Sequence, residues 1–142
     1  MTSLPLSKQL YEKGLKIETE KWWVKYYDKW QIIKNFENDF YRDWEYYPAP
    51  STDELLAVMP KATNQDDWEL EICTEFEELW CIQYINVHTN TVEIETQDKE
   101  IAEALGKMCL FLLSNGYVYD EQKKLLVRKE EGDERTKSPE SS

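Results

Sequence analysis

The stretch 79–87 constrains the fold more than any other part of this chain. Trp80, Ile82 and Tyr84 share one parity of an extended backbone; Leu79, Cys81, Ile85 and Val87 share the other. A strand apolar at both parities needs cover on both faces. It therefore reads as the centre of a sheet, or as a strand bulged partway. Its sequence neighbours are half-polar. Trp68, Leu70 and Ile72 alternate with Glu69, Glu71 and Cys73, and Val92 and Ile94 alternate with Glu93 and Glu95. Strict alternation is the pattern of a strand with one wet face. Glu75-Phe76-Glu77 turns the chain after the first strand, and Val87-His88-Thr89-Asn90-Thr91 turns it before the third.

Helical periodicity flanks this sheet. Ser51 or Thr52 caps a short helix through Asp53-Glu54-Leu55-Leu56-Ala57-Val58-Met59, with an acidic first turn that suits the helix dipole, and Pro60 ends it. After the strands, Asp98 is expected to cap the strongest helix. Ile101, Leu105, Met108 and Leu112 recur at helical spacing, and Asn115-Gly116 closes the element. Tyr117-Val118-Tyr119 reads as a short extended piece. Near the start, Thr2 or Ser3 caps a short helix with Pro5 in its first turn and Leu6, Leu10 and Tyr11 on its apolar side, stopped at Gly14. From Lys129 onward no hydrophobic residue occurs, which predicts a disordered charged tail over 129–142 and a single domain over 1–128. The whole reads as an α+β domain: an N-terminal helix and aromatic hairpin, then α-β-β-β-α. This is the element order of a double-stranded-RNA-binding domain. Order alone does not carry function, and the matching region here lacks basic phosphate contacts.

The aromatic hairpin is the second unusual feature. Residues 22–47 hold eleven aromatics, and Lys21-Trp22-Trp23-Val24-Lys25-Tyr26-Tyr27 mirrors Lys29-Trp30-Gln31-Ile32-Ile33 across Asp28-Lys29. Aromatic and β-branched residues favour the pleated surface. A helix is the rival reading, because Trp22, Tyr26 and Trp30 also fall four apart. Phe36, Phe40, Tyr41, Trp44, Tyr46 and Tyr47 then precede Pro48 and Pro50, which force an extended chain.

Charge is distributed unevenly. The net is −12, but residues 1–34 carry +3, residues 35–103 carry −15 and residues 104–142 are neutral. The acidity belongs to the folded middle. No apolar run approaches the ~20 residues that span a bilayer, and the first ten residues lack a secretory pattern, so a cytoplasmic setting is expected. Cys73, Cys81 and Cys109 read as reduced, small core residues. No Cys-x-x-Cys pair is present, and His88 is the only histidine, so neither a zinc site nor a nucleophile–histidine arrangement is expected. Asn64, Asp66 and Asp67 do not match a calcium loop. No cofactor, no metal and no catalytic activity are expected.

Two stretches taken together suggest kinship. Tyr46-Tyr47-Pro48-Ala49-Pro50-Ser51-Thr52-Asp53-Glu54-Leu55-Leu56 is followed later by Glu100-Ile101-Ala102-Glu103-Ala104-Leu105-Gly106-Lys107-Met108 and Leu113-Ser114-Asn115-Gly116-Tyr117. The pair, over roughly residues 44–118, resembles small proteins of unknown activity encoded by bacteriophages and prophages. The resemblance implies a bacterial host cell and action on a host or phage macromolecule. It supplies no site residue.

Two candidate surfaces follow. The first is an acidic sheet face of Glu69, Glu71, Glu93 and Glu95 with Asp66 and Asp67 at its rim. It is read either as a solvated outer face or as a mimic of nucleic-acid charge that docks on a basic protein. The second is the aromatic segment, with Trp22, Trp23, Tyr26, Trp30 and Trp44. It is read as packing, as a protein contact, or as a nucleotide or sugar platform. A homodimer joined through the aromatics or the outer face of 79–87 is a further reading. The favoured partner is a bacterial or phage protein, with neither nucleic acid nor membrane bound directly.

Overall fold

The computed structural model describes residues 1–37, 44–63, 67–75 and 78–129. The fold is mixed α+β with antiparallel sheets. In chain order the elements are α1 (Leu4–Glu12), β1 (Lys21–Tyr26), β2 (Lys29–Lys34), β3 (Tyr46–Pro48), α2 (Thr52–Val58), β4 (Ala62–Thr63), β5 (Trp68–Glu75), β6 (Leu79–Asn86), β7 (Thr91–Asp98), α3 (Ile101–Ser114), β8 (Tyr117–Asp120) and β9 (Leu125–Arg128). The strands form three sheets: β2-β1-β3, β4-β5-β6-β7 and β8-β9.

The aromatic segment is a hairpin, not a helix. Lys21 pairs with Lys34 and Tyr26 with Lys29, leaving a two-residue loop. Tyr27 and Asp28 in that loop both have positive φ, 52° and 63°. A two-residue loop with positive φ at both positions matches the right-handed twist of its strands. Tyr46, Tyr47 and Pro48 then pair with Val24, Trp23 and Trp22 on the other edge of β1.

In the larger sheet, β6 lies between β5 and β7, as its two apolar parities require. Ile82 and Tyr84 face α3 and are fully buried. Leu70, Ile72, Ile94, Trp68 and Trp80 pack around them. On the other parity Cys81 and Gln83 are also buried. Tyr84 carries its hydroxyl into the core and donates it to the Pro60 carbonyl at 2.7 Å, so the buried phenol is satisfied.

Among the described residues, the helices pack on one side of this sheet. α2 has a complete capping box: Glu54 N–H donates to Ser51 Oγ at 3.2 Å, and Ser51 N–H donates to Glu54 Oε1 at 2.9 Å. α1 and α3 cross closely at Gly106, where an added Cβ would stand 2.7 Å from Leu6 Cδ2 and 2.9 Å from Thr2 Cγ2.

Several expectations are corrected. Ser3 is the N-cap of α1, as expected, but its side chain makes no capping hydrogen bond within the helix. Instead Glu103 of α3 accepts from Ser3 N–H at 2.8 Å and from Ser3 Oγ–H at 2.5 Å, supplying the negative charge from a neighbouring helix. Asp98 ends β7 rather than capping α3, whose N-cap is Glu100. Asp98 accepts from Glu100 N–H at 3.0 Å and meets Lys107 at 2.9 Å. Burial pushes its carboxyl up, but these hydrogen bonds and the Lys107 charge win and hold it below its ordinary value. The extended piece expected at 117–119 stands as β8; what the structure adds is its hairpin partner β9, with Leu126 in the core. Lys129, placed in the tail by sequence, donates its N–H to Gly116 O at 2.7 Å. The remainder of the tail expectation falls on residues 130–142, outside the described residues, as does the turn at Phe76-Glu77.

Candidate functional site

The outer face of the larger sheet carries the acidic residues, and the register decides which of them meet. Glu71 pairs with Gln83 and Gln83 with Glu95, so one row across three strands reads Glu-Gln-Glu. Gln83 is buried at the centre of that row, and its Nε2 donates to Glu71 Oε1 at 2.8 Å. Glu69 lies one row away, opposite Ile85. The expectation that Glu93 joins this pattern by simple alternation is corrected. The register shifts between Tyr84 and Ile85: Tyr84 pairs with Ile94, but Ile85 pairs with Val92. Glu93 is the extra residue of a β-bulge. The same shift turns Val92 away from the core side expected for it, and Val92 is 51% exposed.

Glu69, Glu71, Glu93 and Glu95 are all exposed. Among the described residues no cation pairs with any of them. The ion pairs among the described residues lie elsewhere: Lys25–Glu45, Lys34–Glu20 and Lys107–Asp98. Asp67 sits at the sheet end, 3.1 Å from His88 Nε2. His88 is an exposed turn residue, as its neighbours Thr89 and Asn90 predict. Asp66 and Asn64 lie outside the described residues.

The thiols follow their environments. Cys81 and Cys109 are fully buried and Cys73 is half-buried. Cys73 and Cys81 are register partners on β5 and β6. Burial pushes the Cys109 thiol up to about 12, which leaves it protonated and unreactive near neutrality. Among the described residues no group of three or more His, Cys, Asp or Glu side chains converges on a metal position. Nor is any helix long and apolar enough to cross a membrane.

Strand alternation splits the aromatic candidates between two faces of the small sheet. Trp23 and Trp30 belong to the face that α1 covers. Trp23 Nε1 donates to the Thr2 carbonyl at 3.1 Å. Trp30 stacks on Tyr47 at 5.8 Å, and Tyr47 meets Tyr11 of α1 edge-on at 5.7 Å. These rings pack the hairpin against the helix. Trp22 and Tyr26 share the opposite parity with Val24, and Trp44 joins them there through Tyr26 at 5.2 Å. Phe36, Tyr46 and Tyr27 belong to this second group too, although sequence reasoning did not single them out. Parity with Val24 was the available signal for Tyr46, through its pairing in β3.

Comparison of the chain with protein-family models, with curated proteins and with solved structures found no match.

Proposed function

We propose that the protein acts by binding rather than by catalysis, as an accessory protein of a bacteriophage or prophage. Its acidic sheet face is the docking surface, and the partner is a basic host protein that handles nucleic acid or serves in defence. One observation carries this reading: a helix-free sheet face holds Glu69, Glu71 and Glu95 in adjacent register rows, with no cation bridging them among the described residues. Carboxylates held on a fixed backbone at strand spacing present a patterned negative field. Such a field steers a positive partner and fixes its register more than it adds raw affinity.

The test compares the wild-type protein with a Glu69→Lys/Glu71→Lys/Glu95→Lys variant, each immobilised and exposed to nuclease-treated bacterial lysate. The wild type is expected to retain one dominant basic protein that elutes at high salt. The variant is expected to lose it while keeping the same circular dichroism spectrum. Equal retention by the two proteins overturns the proposal, as does retention of no basic protein.

A further inference from the structure

Two of the three cysteines face each other across the larger sheet. Cys73 of β5 and Cys81 of β6 are register partners, so their side chains leave the same face at the same level. Their chain neighbours Ile72 and Ile82 belong to the core under the helices, so alternation turns both thiols to the outer face. Neither is in a disulfide. Cys81 is fully buried and Cys73 half-buried, so Cys73 is the thiol that solvent reaches. Gln83 Nε2 stands 3.6 Å from its Sγ. Among the described residues β4 pairs with β5 only at Trp68 and Glu69, so no strand flanks β5 beside Cys73. Cys109 stays apart from the pair: it lies on α3, in the core cluster on the other side of the sheet.

The backbone fixes how closely the two thiols are held. Val87 N–H donates to the Asp67 carbonyl at 2.8 Å. These two residues continue the register that pairs Trp68 with Asn86. Hydrogen-bonded and non-hydrogen-bonded pairs alternate along an antiparallel ladder, so the hydrogen-bonded type recurs at Glu69–Ile85, Glu71–Gln83 and Cys73–Cys81. The Cα atoms of such a pair stand ~5.5 Å apart, inside the ~4.4–6.8 Å range that a disulfide spans. The Cβ atoms stand up to ~5.5 Å apart, against ~3.5–4.5 Å in a relaxed disulfide. A bond here draws the two strands together locally, and strain of that kind makes a disulfide easily reduced.

We infer that Cys73 and Cys81 form a reversible redox site that takes a low-molecular-weight disulfide as its oxidant. The Cys73 thiol gives up its proton, and the thiolate attacks one sulfur of the oxidant R–S–S–R. The oxidant's S–S bond breaks, one R–SH leaves, and a mixed disulfide remains on Cys73. The Cys81 thiolate then attacks the Cys73 sulfur, which releases the second R–SH and closes the cross-strand bond. Two electrons and two protons pass from the protein to the oxidant. The closed bond ties β5 to β6 two residues, about 7 Å, along the strands from the Glu71–Gln83 row. The site stands on the thiol pair alone, so it does not depend on that row docking a partner.

Oxidation of the full chain with 2-hydroxyethyl disulfide tests the inference; the reagent is neutral, so the carboxylates of this face do not repel it. The native protein is expected to lose two of its three thiols, counted after unfolding, and its intact mass to fall by two hydrogen atoms. Cleavage after glutamate is expected to yield segments 72–75 and 79–93 joined by a bond that a reductant opens. Excess 2-mercaptoethanol is expected to restore all three thiols. Cys109→Ala is expected to close the bond as the wild type does. Cys81→Ser, checked for an unchanged circular dichroism spectrum, is expected to stop at the mixed disulfide on Cys73. A wild-type protein that keeps its three thiols, or that stops at the mixed disulfide, overturns the inference. So does a bond that involves Cys109 or joins two chains, and so does a Cys73–Cys81 bond that resists excess 2-mercaptoethanol.

Discussion

Tyr84 and Cys109 are packed against the same core, and each keeps its proton for a physical reason. Burial denies solvation to the anion, pushing the Cys109 thiol up to about 12 and the Tyr84 phenol well above its ordinary value. In the unfolded chain the thiol ionises near ~8.5 and the phenol near ~10. Above about pH 8.5 the unfolded state therefore binds fewer protons than the native state, and stability falls as pH rises. Urea unfolding followed from pH 7 to pH 11 is expected to show a declining midpoint. Replacing Cys109 with Ala is expected to make that decline shallower from its acid end. A midpoint flat to pH 11 in the wild type contradicts the burial argument. At the acid end the sign reverses. Asp98, held low by Glu100 N–H and Lys107, contributes above the ordinary carboxylate pKa, and that contribution disappears as pH falls through its depressed value.

At the scale of elements, the α1–α3 crossing is the tightest joint in the fold. Gly106 has no side chain because Leu6 and Thr2 occupy the space a Cβ would need. Gly106→Ala improves helix propensity by about 1 kcal/mol. It also overpacks a buried contact, which costs about 1–3 kcal/mol. A net loss on the order of 1 kcal/mol is expected in denaturant unfolding. The double variant with Leu6→Ala is expected to lose less than the two single variants together, since the clash is removed with the leucine. Simple additivity would place the strain elsewhere. This joint was not legible in the sequence, where Gly106 is one small residue within an amphipathic period. What was legible came from local rules. The cap of α2 at Ser51 or Thr52, the two parities of β6 and the mirrored aromatic hairpin each follow from chemistry within a few residues. The parts missed depend on partners far along the chain. Glu103 reaches back to Ser3 across 100 positions, the bulge at Glu93 shows only in its pairing with β6, and β9 gains its place by pairing with β8.

At the scale of the molecule, both candidate surfaces come from one architectural fact: among the described residues, β2-β1-β3 and β4-β5-β6-β7 each have a face that the helices do not cover. Sequence patterning identified the residue types on those faces but could not partition them. Strand alternation assigns Trp23 and Trp30 to the packed side and Trp22 and Tyr26 to the exposed side, and the bulge sets Glu93 apart from the Glu71–Gln83–Glu95 row. The charge map has its own consequence for the whole fold. With −15 concentrated in residues 35–103, the native state brings like charges together that the unfolded chain separates. Salt shortens the screening length from about 30 Å at 0.01 M to about 8 Å at 0.15 M. Raising salt across that range is therefore expected to raise the thermal midpoint. The few ion pairs near the surface contribute too little to reverse the sign. A Glu69→Gln/Glu71→Gln/Glu95→Gln variant is expected to start from a higher midpoint at low salt and to gain less from added salt. If the variant responds as strongly as the wild type, the repulsion resides elsewhere in the acidic middle, and the sheet face is then not the place where the native state bears the cost of its charge.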